Sequence, residues 1–121
     1  MPNKKVLIVD DEMELVEMMK KRLEANHYDV LISNNGEEGM AKALSEVPNL
    51  ILLDIKMPKM DGYTFIKQAR TDKRLKHVPI IVLSVIDQLS DLLKLEGVND
   101  YLEKPFDADV LLNKISQYLK S

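Results

Sequence analysis

Five polar side chains in this 121-residue sequence stand at the ends of short apolar runs, and their types suit anion and metal chemistry. Asp10 and Asp11 follow the run from Lys5 to Val9, Asp54 closes the apolar part of Asn49–Gly62, Ser84 follows Pro79–Leu83, and Lys104 follows Asp100–Glu103. A single Asp at the end of a run often does no more than begin a turn. The coincidence of five is more informative, because chance placement would scatter acids, hydroxyls and amines over both ends of the runs. If the runs are parallel strands, all five groups lie at the carboxyl edge, where open parallel sheets bind ligands. Three carboxylates in one pocket repel, at about 4 kcal/mol per pair for a separation of roughly 4 Å and an effective dielectric near 20, so a cation is required. An all-oxygen, partly open acidic site suits Mg²⁺, and Lys104 supplies a further positive charge. With both in place a carboxylate can act as nucleophile toward a phosphoryl group while the cations neutralise the developing charge.

The elements that must position these groups follow from the apolar pattern. Lys5–Val9 reads as a buried strand, and Leu15, Val16, Met19 and Leu23 recur at helical spacing over 12–25, with Asn26-His27 ending that helix. A second strand is predicted over Tyr28–Ile32. Asn35 is read as the cap of a helix with apolar positions Met40, Ala43, Leu44 and Val47. Asn49–Asp54 is a strand covered on both faces, and a third helix follows over Tyr63–Arg70. Pro79–Leu83 forms the fourth strand, a short helix is predicted over 89–96 with Gly97 as its left-handed terminal residue, and a fifth strand covers Asp100–Glu103. A final helix runs over 107–120 with Leu111, Ile115 and Leu119 on one face. Five strands alternating with helices over short connections predict an α/β fold, a three-layer α/β/α sandwich on a five-stranded parallel sheet. Strand order is not readable from pattern.

Length bounds the chain at one compact domain. A composition 45% hydrophobic and 31% charged is that of an ordinary globular protein, and the absence of cysteine excludes disulfides and thiolate sites. Only a short apolar run precedes Asp10, too short for a signal peptide or membrane span, so the expected location is cytoplasmic. A net charge of −3 with scattered Lys and Arg argues against direct binding to nucleic acid or an anionic membrane. His27 and His77 are read as solvated, and Leu89, Leu92, Leu93 and Leu95 as core.

Asp10-Asp11, the loop from Asp54 through Met57-Pro58 to Asp61-Gly62, Ser84, and Asp100–Phe106 with Lys104-Pro105 together resemble the receiver domain of bacterial two-component response regulators, similar in extent to the stand-alone chemotaxis-type proteins. The resemblance implies a single flavodoxin-like receiver domain over residues 1–121. It implies that Asp54 accepts a phosphoryl group from a phosphohistidine on a sensor histidine kinase or phosphotransfer protein. It further implies Mg²⁺ held by Asp10, Asp11, Asp54 and the backbone carbonyl of Lys56, with Ser84 and Lys104 on the phosphoryl oxygens. Tyr101 is implied as the aromatic that turns inward with Ser84, and Lys104-Pro105 as a cis peptide. The output is a changed surface near the predicted fourth helix and the fifth strand, read by a downstream protein partner whose identity the sequence does not give, by a monomer or a phosphorylation-dependent dimer. Beyond transferring a phosphoryl group to itself and losing it again, no enzyme activity is expected.

Three features depart from the family pattern. Val85 stands where a small residue is usual, and is expected to slow small phosphodonors. The segment from Ser84 to Lys104 is about two residues short. Lys56 and Ile86 occupy positions that tune the lifetime of the acyl phosphate. A pseudo-receiver that is never phosphorylated, and a receiver excised from a longer regulator, are the alternatives; a flavin protein or acyl-phosphate hydrolase is disfavoured because acids, not a Gly-rich loop, follow the first strand.

Overall fold

The computed structural model describes residues 3–55, 60–85 and 97–119. Strands β1 (Lys5–Val9), β2 (Asp29–Ser33), β3 (Leu50–Asp54), β4 (Ile80–Val85) and β5 (Asp100–Lys104) alternate with helices α1 (Met13–Ala25), α2 (Gly36–Glu46) and α3 (Gly62–Thr71), and α4 (Ala108–Tyr118) follows β5. The strands form one parallel sheet in the order β2-β1-β3-β4-β5. The predicted helix over 89–96 and Leu89, Leu92, Leu93 and Leu95 lie outside the described residues, as do Lys56 and Ile86. Val85 is the last residue of β4 and pairs with Lys104.

Burial explains which strands read clearly. β3 is buried along its whole length and β1 at all but its first residue, which is why both are unbroken apolar runs. β2 and β5 are the sheet edges and more exposed. Alternate residues feed two cores. Leu7, Val9, Ile51, Leu53, Ile80 and Val82 pack with Met40, Phe65 and Ile66 from α2 and α3. Val6, Ile8, Leu50, Leu52, Ile81 and Leu83 pack with Val16, Met19 and Leu23 from α1 and Leu111 and Ile115 from α4. Asp10, Asp54 and Lys104 have the parity of Ile8, Leu52 and Leu102, so all three continue the α1/α4 layer at its carboxyl edge.

The element ends are set by capping. Asn35 caps α2 through its side chain, which accepts from the Glu38 N–H at 2.8 Å, and Asp61 does the same for α3 with the Thr64 N–H. Helix α1 begins at Met13 with Glu12 as its N-cap, one residue later than expected. β2 is shifted by one residue from its expected span, because the Tyr28 N–H is taken by the Leu23 carbonyl in the helix terminus. Val47 was expected on the apolar face of α2; it is instead the exposed terminal residue at φ 44°, since the helix must end before Pro48. Gly97 has φ +91°, the left-handed conformation expected of it. His27 and His77 are both exposed, as expected.

Candidate functional site

Parallel pairing aligns the strand ends. Val9 pairs with Leu53, Asp54 with Leu83, and Val85 with Lys104, so Asp10, Asp11, Asp54, Ser84 and Lys104 share one edge of the sheet. The carboxylates of Asp10, Asp11 and Asp54 each offer an oxygen within 4.8 Å of the others. Asp10 is fully buried, Asp54 nearly so, and Asp11 is exposed. Ser84 is buried.

Lys104 brings the further positive charge expected of it into contact with these acids. Its side chain is 9% exposed, and Nζ lies 2.9 Å from Asp10 Oδ2, 2.9 Å from Glu12 Oε1 and 3.8 Å from Asp54 Oδ2. Burial pushes its pKa down, but the contacts with Asp10 and Glu12 and the field of Asp54 outweigh that, and the net shift is upward. The ammonium stays charged at neutral pH. The Lys104-Pro105 bond is cis. An open groove of about 310 Å³, lined by Glu12, Leu15, Lys104, Pro105 and Phe106, lies beside the ammonium.

Among the described residues, the site carries more negative than positive charge. Four carboxylates, those of Asp10, Asp11, Glu12 and Asp54, face one ammonium among the described residues. Asp10 Oδ1 accepts from the Glu12 N–H at 2.9 Å, whereas Asp10 Oδ2 is buried, lies 2.9 Å from the Lys104 ammonium and accepts no hydrogen bond among the described residues. A buried carboxylate oxygen left open beside two further carboxylates is a hard-oxygen donor set, and it fits Mg²⁺.

Tyr101 lies in β5 and is 37% exposed, on the outer edge of the sheet. Lys56 lies outside the described residues. Sequence reading overlooked Glu12 as a site residue. The signal was available: Glu is a poor N-cap, and an N-cap Glu after two acids invites the question of what else its side chain does.

A family model described as the response regulator receiver domain matches residues 6–116. The chain is 44% identical over 106 residues to the alkaline phosphatase synthesis transcriptional regulatory protein PhoP of Bacillus subtilis, covering 86% of this chain and 43% of PhoP. It likewise spans about half or less of the length of several other curated relatives. It is 35% identical over 117 residues to protein PilH of Pseudomonas aeruginosa, covering 95% of this chain and 97% of PilH. Among solved structures, the receiver domain of sensor histidine kinase PA1611 from Pseudomonas aeruginosa, with a magnesium ion coordinated in its active-site cleft, superposes with a TM-score of 0.90 at 26% identity, covering 98% of this chain and 99% of that one.

Proposed function

Because the chain belongs to the response regulator receiver domain family, we propose that Asp54 is its phosphoacceptor, taking a phosphoryl group from a phosphohistidine on a sensor histidine kinase or phosphotransfer protein. The observation that carries this reading is the buried Asp54 carboxylate, within 4.8 Å of Asp10 and Asp11 and 3.8 Å from the Lys104 ammonium. In the transfer the P–N bond to the donor imidazole breaks and a bond from an Asp54 oxygen to phosphorus forms. Asp10, Asp11 and Asp54 would hold Mg²⁺, with Lys56 contributing its backbone carbonyl. Bound there, Mg²⁺ offsets the negative charge that gathers on the phosphoryl oxygens. Lys104 supplies a second, fixed positive charge on the same side. The Ser84 hydroxyl, at the adjacent strand end, serves as a donor to the phosphoryl group.

Signalling follows from charge. A phosphoryl group adds roughly −1.5 to −2 charges and three acceptor oxygens, enough to reorder Ser84 and Lys104 and the loops that carry them. Tyr101, half-exposed on edge strand β5, is placed to change the outer surface for a downstream protein partner. Residues 1–121 act as one receiver domain without a separate substrate of their own. The partners on both sides are proteins inside the cell, and neither nucleic acid nor membrane is bound directly; no helix among the described residues is long and apolar enough to cross a membrane.

The test is intact mass after incubation with a small phosphodonor, with and without Mg²⁺, beside Asp54→Asn. A Mg²⁺-dependent gain of one phosphoryl mass in the wild type, absent from Asp54→Asn, is expected. No gain in the wild type or in Val85→Ala would overturn the reading in favour of a pseudo-receiver.

A further inference from the structure

Glu12 stands against the local preference of its position. It is the N-cap of α1, where Ser, Thr, Asp and Asn are favoured because a short side chain reaches the first free N–H groups, yet its side chain makes no capping bond. Its carboxylate instead accepts from Lys104 Nζ at 2.9 Å. Residues that break a local rule are often held in place by function.

The two close partners of the ammonium differ in what their loss entails. Asp10 is fully buried and its other oxygen is fixed by the Glu12 N–H, so parting it from Lys104 would strand a buried charge. The Glu12 side chain is 58% exposed, so water replaces the ammonium when it leaves. Asp54 is the most distant of the three acids within 4 Å of the ammonium, at 3.8 Å.

From this asymmetry we propose that Glu12 is a positioning residue for phosphoryl acceptance, holding the Lys104 ammonium short of Asp54 in the unmodified chain and releasing it when an anionic group is carried on Asp54. The inference rests on Asp54 being the acceptor. An added phosphoryl group draws the ammonium across the remaining gap, and the exposed partner is the one given up while the buried one is kept. Glu12 therefore favours the unmodified state by the strength of one exposed ion pair, and lowers affinity for the phosphoryl anion by the same factor. For such a pair that factor is about twofold to fivefold.

The experiment titrates the phosphoryl mimic beryllofluoride at saturating Mg²⁺ into the wild type, Glu12→Gln and Glu14→Gln. Glu14 is exposed in the first turn of α1 and is not among the acids that contact Lys104, so its variant removes the same charge without the contact. Glu12→Gln is expected to bind about two to five times more tightly than the wild type, with Glu14→Gln unchanged. In the metal-free and ligand-free proteins, the side-chain ammonium resonance of Lys104 is expected to shift in Glu12→Gln and not in Glu14→Gln. Equal affinities for wild type and Glu12→Gln, an equal gain from Glu14→Gln, or an unmoved ammonium resonance each overturn the role of Glu12 and leave Asp54 as acceptor. Failure of the wild type to bind beryllofluoride overturns the acceptor reading, and this inference with it.

Discussion

The Lys104 ammonium lies 2.9 Å from Asp10 Oδ2, tying the end of the last strand to the residue that follows the first. Both side chains are withdrawn from water, at 9% and 0% exposure, so each buried charge is set against an opposite one. The contact is structural as well as chemical, since it closes the sheet edge on which the acids converge.

The upward shift of Lys104 gives that contact a pH signature. A lysine raised in the folded state contributes stability that is fully present below its unfolded value, ordinarily 10.5, and lost as pH rises through the higher folded value. Denaturant unfolding of wild type and Lys104→Met should therefore show a stability gap that is constant from neutral pH to about 10, then narrows in more alkaline solution. A gap that widens between pH 7 and 10 would mean that the shift runs the other way.

Charge imbalance predicts the response to metal. With four carboxylates around one ammonium among the described residues, Mg²⁺ should raise the thermal midpoint, by a stabilisation of about 2.7 kcal/mol at a hundredfold excess over Kd. Asp11→Asn removes the exposed member of the proposed ligand set and should abolish most of the gain, while raising the midpoint of the metal-free protein because one repulsive charge is gone. Thermal scans in chelator and in Mg²⁺ would check both signs; an undiminished Mg²⁺ response in Asp11→Asn would remove that residue from the proposed ligand set.

How much of this was legible in the sequence depended on whether the cause was local. β1 and β3 were legible because complete burial forces continuous apolar runs, and the acids at their ends were therefore unambiguous in position. The caps Asn35 and Asp61 obey a local rule, though only Asn35 was read from it. Strand order, by contrast, depends on which helix crosses which face, and no residue type records it. The role of Glu12 depends on Lys104, from the far end of the chain, and that of Arg70 on backbone carbonyls that any residue would present. The need for glycine at position 39 is likewise invisible in the helix that carries it, because its reason lies in β1.

Arg70 organises the edge of the sheet opposite the acids. From the last turn of α3 its Nε donates to the Gly97 carbonyl at 2.7 Å, Nη1 to the carbonyls of Leu75, Lys76 and Val78, and Nη2 to Asn99 Oδ1. Asn99 Oδ1 also accepts from the Ile80 N–H, so one guanidinium joins the α3–β4 connection to the starts of β4 and β5. Burial lowers its pKa without discharging it. Arg70→Met should lower stability by about 2–3 kcal/mol, read as a fall in the urea midpoint at unchanged slope. Arg70→Lys should recover less than half of this, because a point ammonium cannot serve acceptors spread around a planar fork.

Gly39 predicts an exception to helix propensity. Within α2, Gly→Ala should stabilise by about 1 kcal/mol if only the helix mattered. A Cβ at Gly39 would stand 2.8 and 2.9 Å from the two γ carbons of Val9, a buried and β-branched residue of β1 with little freedom to turn away. Overpacking of this kind costs about 1–3 kcal/mol, so Gly39→Ala should be net destabilising by about 1 kcal/mol in urea unfolding. Because Val9 precedes Asp10, the displacement reaches the acidic site, and the variant should also respond less to Mg²⁺. The Val9→Ala background separates the causes: there the clash is gone, and Gly39→Ala should become neutral or stabilising. A destabilisation of the same size in both backgrounds would show that Val9 is not what requires glycine at this position.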